Sequence, residues 1–137
     1  MSEAAIKPPV RKPRPKYLNL QALLFEIRLP IAGRMSILHR VSGALLFLAM
    51  VWLLWMLDLS LSSEASFLKI KHYIHLWPVK LGLLGLFWAY SHHFCAGIRY
   101  LFLDLDKGVD KETAQLTAWA VFAVSLTLTA LVAWRLW

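Results

Sequence analysis

Three stretches of the chain, residues 41–57, 81–98 and 113–134, carry no charged side chain. They run for 17, 18 and 22 residues and are dense in Leu, Val, Ala, Phe and Trp. An uncharged apolar run of this length matches the hydrocarbon thickness that a helix must cross in a bilayer. The pattern predicts three transmembrane helices, at about 36–61, 79–103 and 114–137. The connector SSEASFLKIKHYIHLWP joins the first two, and Pro78 suits the first turn of the second helix. The segment LDLDKGVDKET reads as a tight polar turn before the third. Residues 17–34 are too short and too polar to span, and predict a segment lying on the membrane surface, broken at Pro30. Residues 1–16 are basic and contain Pro8, Pro9, Pro13 and Pro15, which predicts a flexible arm. The arm has no apolar core of a signal peptide. Its prolines oppose the amphipathic helix of a mitochondrial presequence.

Composition agrees with this organisation. With 137 residues the chain has room for one domain, here the helical unit 35–137. At 59% hydrophobic and 17% charged residues it lacks the polar groups to cover a soluble fold. Disorder is excluded more strongly still. The net charge of +7 is unevenly placed. With three spans, the side holding the N-terminus and the second loop carries eleven Lys and Arg, and the opposite side carries four. That asymmetry predicts an N-terminus in the cytoplasm or matrix. The positive charge is thus a topology signal, and no folded basic face for nucleic acid is visible. Trp52, Trp55, Trp77, Trp134 and Trp137 fit an aromatic belt at the opposite interface. Cys95 is the only cysteine, so the chain forms no internal disulfide. Without a Cys cluster or a dinucleotide fingerprint, it holds neither an iron–sulfur centre nor a flavin of its own.

Ionisable groups inside a span are costly and usually face protein, water or a cofactor. The candidates are Ser36, His39, Arg40, Asp58, His92, His93, Arg99 and Asp104. On the second span Gly82, Gly85, Ala89, His93, Ala96 and Tyr100 recur at spacings of 3 and 4 and define one face. Small residues let another helix approach, and they leave room for a flat macrocycle beside an imidazole. His93 on this stripe suits either haem ligation or a hydrogen bond to a neighbouring helix. His92 points about 100° away and lies off the stripe. Ser36, Arg40 and Gly43 share a face of the first span. Ser36 and Arg40 form either a donor pair or a capping Ser beside a snorkelling Arg. His72 and His75 read as solvated residues of the connector, too few for a metal site. Asp58 is expected to meet water at the end of its span.

The segment SILHRVSG, from Ser36 to Gly43, is followed about 50 residues later by HFCAGIRYLFLD, from His93 to Asp104. These segments resemble the cytochrome b556 subunit family of succinate dehydrogenase. The first matches the family pattern S-I-x-H-R-x-[ST]-G at each fixed position. The second matches H-x-x-x-G-x-R-H-x-x-x-D except that Tyr100 replaces the His after Arg99. The triplet Arg28 to Pro30 fits the bacterial members, and the resemblance extends over residues 14–137.

The resemblance implies a three-helix anchor in the bacterial cytoplasmic membrane that packs with a second hydrophobic anchor subunit. It implies iron–sulfur and flavoprotein subunits on the inner face, and a haem b shared between the two anchors. His93 stands at the axial-ligand position, with the second axial His coming from the partner. Ser36 and Arg40 stand at positions lining a ubiquinone site, and His39, Arg40 and Tyr100 near the haem propionates. Tyr100 brings a phenol in place of an imidazole, so it can donate a hydrogen bond without a positive charge. His39 is expected to lie too shallow to share a haem with His93. A fumarate reductase anchor working with menaquinone, a haem-free structural anchor and a small transporter subunit are the competing readings.

Overall fold

The computed structural model describes residues 29–137, which form four helices in the order α1 (Ile31–Ser62), α2 (Glu64–Ile74), α3 (Trp77–Asp104) and α4 (Lys111–Leu136). The flexible arm expected at 1–16, and most of the surface segment expected at 17–34, lie outside the described residues.

α1 starts directly after Pro30, earlier than the predicted Ser36, so residues 31–34 belong to the helix. Pro30 ends the preceding chain in extended geometry, and its carbonyl accepts from the Gly33 and Arg34 amides at 2.9 and 3.1 Å. A 32-residue helix is about 48 Å long at about 1.5 Å per residue. It therefore exceeds the roughly 30 Å of a hydrocarbon core. The Ser60 and Ser62 hydroxyls donate back to the Leu57 and Leu59 carbonyls at its end. The extended Ser63 then breaks the helix and caps the next by accepting from the Ser66 amide at 3.1 Å.

The connector expected at 62–78 contains α2, an 11-residue helix. Its ends obey helix electrostatics, with Glu64 in the first turn and Lys71 and His72 in the last. Phe67, Ile70 and Ile74 recur at helical spacing, which gives it one apolar side. α3 begins with Pro78 in its first turn, as expected. It ends in a turn where Asp106 and Gly108 take positive φ, at 56° and 73°. Asp110 accepts from the Thr113 amide at 2.9 Å and starts α4.

α3 packs between α1 and α4, which also touch each other, and α2 lies against α1. The core is a small junction of Met35 from α1, Ala96 from α3, and Ala118 and Val121 from α4. Most other large apolar side chains are exposed, as on Phe47, Leu48, Leu61 and Trp134. A surface of this kind belongs in lipid or against another apolar chain. α1 and α4 are each long and apolar enough to cross a membrane. α3 has 28 residues and carries Lys80, His92, His93 and Arg99 along its length. Those polar groups are largely turned to its neighbours. At the far end of the bundle, Lys80 donates to the Leu136 carbonyl at 2.9 Å and sits over the Trp137 ring. This cation closes the C-terminus of α4.

Candidate functional site

The polar groups gather in the half of the bundle that holds the start of α1, the end of α3 and the start of α4. His39 on α1 and His93 on α3 stack almost parallel, with ring centroids 4.2 Å apart and 11° between planes. Tyr100 tilts against His39 at 5.0 Å. Three residues named from the sequence, His39, His93 and Tyr100, therefore form one cluster.

The His93 ring is held by its Nδ1. That atom lies 3.0 Å from the His39 carbonyl oxygen. A carbonyl only accepts, so Nδ1 carries the proton and donates. The buried Ser42 hydroxyl donates to the same carbonyl at 2.9 Å, and its oxygen stands 3.3 Å from Nδ1. This tautomer leaves Nε2 of His93 with its lone pair, the arrangement in which an imidazole ligates a metal while its other nitrogen is anchored. Gly43 makes the approach possible. A Cβ there would lie 2.8 Å from His93 Cε1, closer than real carbon contacts allow.

The structure corrects the expected depth of His39. It stands at the level of His93 and touches it. Rings in contact at 4.2 Å leave no space for a macrocycle between them. The two histidines are thus unable to ligate one haem from opposite faces, for a reason other than depth. His39 Nε2 is buried without a partner among the described residues, and Gly97 faces it.

The expected small-residue stripe divides into two. Ala89, His92, Ala96 and Arg99, at spacings of 3, 4 and 3, are the buried row. His93, Gly97 and Tyr100 form the adjoining row against α1. Gly82 and Gly85 have no neighbour within 4 Å of an added Cβ. His92 is fully buried between Trp88 and Phe122, at centroid distances of 5.4 and 5.1 Å. Neither of its nitrogens has a partner among the described residues, nor has the Trp88 indole N–H. Sequence reasoning set His92 aside because it followed the row of glycines. The 89/92/96/99 spacing was the available signal.

Ser36 is half-buried and Arg40 exposed on α1, and neither forms a side-chain hydrogen bond among the described residues. Arg99 is buried and donates to Thr117 and to the Ala114 carbonyl. Asp58 and Asp104 are exposed. His72 and His75 are exposed, on α2 and at its C-cap. No group of three or more His, Cys, Asp or Glu suited to a metal ion occurs among the described residues. A hollow of about 730 Å³ lies elsewhere, between the far ends of α1 and α3 and the helix α2. Its walls are apolar, with Trp52, Met56, Phe67 and Ile74 among them, and it is remote from the histidine cluster.

A family model described as succinate dehydrogenase/fumarate reductase transmembrane subunit matches residues 11–132. The chain belongs to that family. Its relatives include the succinate dehydrogenase cytochrome b556 subunit of Rickettsia felis, 35% identical over 104 residues, 76% of this chain and 81% of the relative. The subunit of that name from Paracoccus denitrificans is 33% identical over 76% of this chain and 80% of its own length. That from Coxiella burnetii is 31% identical over 90% of this chain and 97% of its own. The chain is therefore a membrane subunit of an enzyme complex, and its apolar surface is consistent with a place in a membrane.

Proposed function

We propose that the chain is a three-span anchor subunit of succinate:ubiquinone oxidoreductase that holds haem b jointly with a second anchor subunit and forms part of the ubiquinone site. The observation that carries this reading is the His93 tautomer. Its Nδ1 is tied to the His39 carbonyl, leaving Nε2 free to ligate. The residues present fit a haem on a second count, because Gly43 keeps the ring in its place against α1. His93 would be the axial ligand from this chain, and His39, Arg40 and Tyr100 would face the propionates. When bound, haem b supplies a one-electron store beside the quinone. The names of the relatives favour succinate dehydrogenase over the fumarate reductase alternative, in which menaquinone is the partner.

Ser36 and Arg40 stand one turn apart on α1. In this reading Ser36 donates a hydrogen bond to a quinone oxygen, and Arg40 stabilises negative charge as it develops there. The α1 start lies at the inner boundary of a bacterial cytoplasmic membrane, within reach of electrons from an iron–sulfur subunit. The flavoprotein subunit oxidises succinate.

The whole complex, purified from membranes, tests both parts. His93→Ala should remove the b-type reduced-minus-oxidised spectrum. Ser36→Ala and Arg40→Leu should retain it and slow quinone reduction by about 10- to 100-fold, while succinate oxidation by an artificial acceptor persists. Sealed donors are worth more, typically about 100- to 1000-fold, but Arg40 is exposed. A wild-type complex without a b-type spectrum would refute haem binding, and normal quinone reduction by both variants would refute the quinone assignment.

A further inference from the structure

Arg99 is only 8% exposed, yet its bonds go to neutral oxygens, Thr117 Oγ1 at 2.9 Å and the Ala114 carbonyl at 3.0 Å. A buried guanidinium is costly unless its charge is compensated. These bonds engage Nε and Nη2 and occupy two of its five N–H donors. Nη1 takes no partner among the described residues and is not sealed inside the protein.

Arg99 opens onto a cleft of about 350 Å³ between the end of α3 and the start of α4. Lys107, Thr113 and Thr117 line it as well, and no carboxylate among the described residues does. Asp110 is turned to the Thr113 amide as a helix cap, and Glu112, next to Thr113 in sequence, is exposed in the first turn of α4 and is not part of the lining. The first turn of α4 adds the positive end of a helix dipole. On the other side the cleft is apolar, and its walls Ile98 and Phe102 are 41% and 56% exposed. α3 ends at Asp104 and a polar turn follows, so the cationic pole lies where an apolar helix gives way to polar chain.

We propose that this cleft binds an anionic phospholipid, with its phosphate diester on Arg99 and Lys107 and an acyl chain along Ile98 and Phe102. A free anion would need only the cationic pole; the adjoining exposed apolar wall matches a lipid. The site is on the α4 flank of α3, whereas His93 faces α1, so the inference needs the membrane setting of the family and not the haem reading.

The test uses the full purified complex, stripped of lipid in detergent and titrated with dioleoyl phosphatidylglycerol or dioleoyl phosphatidylcholine, with bound lipid counted by native mass spectrometry. Phosphatidylglycerol should bind more tightly than phosphatidylcholine. Lys107→Gln should weaken it about fivefold, the effect of one basic residue on an anionic lipid. Arg99→Lys should weaken it more, through loss of the planar fork. Lys107 is exposed and makes no side-chain bond among the described residues, so its replacement leaves the helix packing intact. Unchanged binding in both variants would overturn the proposal. So would inorganic phosphate that competes as well as the lipid, or a structure of the complex with a partner carboxylate in the cleft.

Discussion

At position 43 the bundle has room for a hydrogen and nothing larger, because His93 Cε1 occupies the place of a side chain. Gly43→Ala should push the imidazole off the His39 carbonyl, at an overpacking cost of about 1–3 kcal/mol. The expected result is a purified complex with reduced haem content and a lower melting temperature. Gly97→Ala is the matched control. Its added carbon would stand 3.9 Å from His39 Nε2, an ordinary contact, and both readouts should stay near wild type. The adjacent histidines separate in the same assay. His93→Ala should remove the spectrum for want of its ligand. His92→Leu should preserve it, since His92 is turned to Trp88 and Phe122. Leucine also removes two buried nitrogens that no group among the described residues satisfies. Such unpaired groups cost about 1–3 kcal/mol each, so the variant should melt no lower than wild type. Loss of the spectrum in His92→Leu with retention in His93→Ala would reverse the assignment.

The helices meet through few apolar side chains and several directed polar contacts. This suits a lipid setting, where apolar burial between helices brings little gain and each interhelical hydrogen bond is worth about 0.6–2 kcal/mol. The start of α4 lies outside the apolar run and depends on Asp110. The Thr113 amide, donating to the Asp110 carboxylate, holds that carboxyl below its ordinary value of 3.8. A group depressed in this way contributes stability that is fully present above the ordinary value. The contribution disappears as the pH falls through the lowered one. Hydrogen exchange at the Thr113 amide should therefore be slow at neutral pH and quicken relative to interior α4 amides in acid. Asp110→Ala should show the fast behaviour at every pH. Asp110→Asn should keep the cap and lose the acid dependence. An Asp110→Ala variant with normal protection would show that the cap is dispensable.

The whole molecule is a bundle whose exposed surface is mainly apolar and whose polar groups lie at its two ends. The Lys80 bond to Leu136 ties the far ends of α3 and α4, and the Arg99 bonds tie the near ends. If α1, α3 and α4 all span, the near end faces the cytoplasm, following the eleven-to-four distribution of Lys and Arg. A reporter fused after Trp137 should then be active only outside, and one inserted between Asp106 and Asp110 only inside. A C-terminal reporter active inside would remove one of the three spans. Gly82 and Gly85 offer a further check at this scale, since among the described residues nothing lies within 4 Å of a Cβ added at either. Replacing either with Ala should leave the isolated bundle unchanged, so any loss of assembly would locate a partner helix there.

Three long helices and the turn before α4 were legible in the order of residues, because a charge-free apolar run has one stable form in a bilayer. The SILHRVSG and HFCAGIRYLFLD segments likewise marked the neighbourhood of the site. α2 escaped notice because Lys69 and Lys71 interrupt the apolar residues in sequence, and a short amphipathic helix takes definition from the α1 surface it covers. Only tertiary packing could choose between rows on α3. The rows through His92 and through His93 both obey helical spacing, and α3 has neighbours on both sides. Which imidazole is buried against α4, and which is held against α1, depends on where Phe122 and Gly43 stand once the three helices meet. Periodicity along one helix carries no information about the neighbour that each face will find.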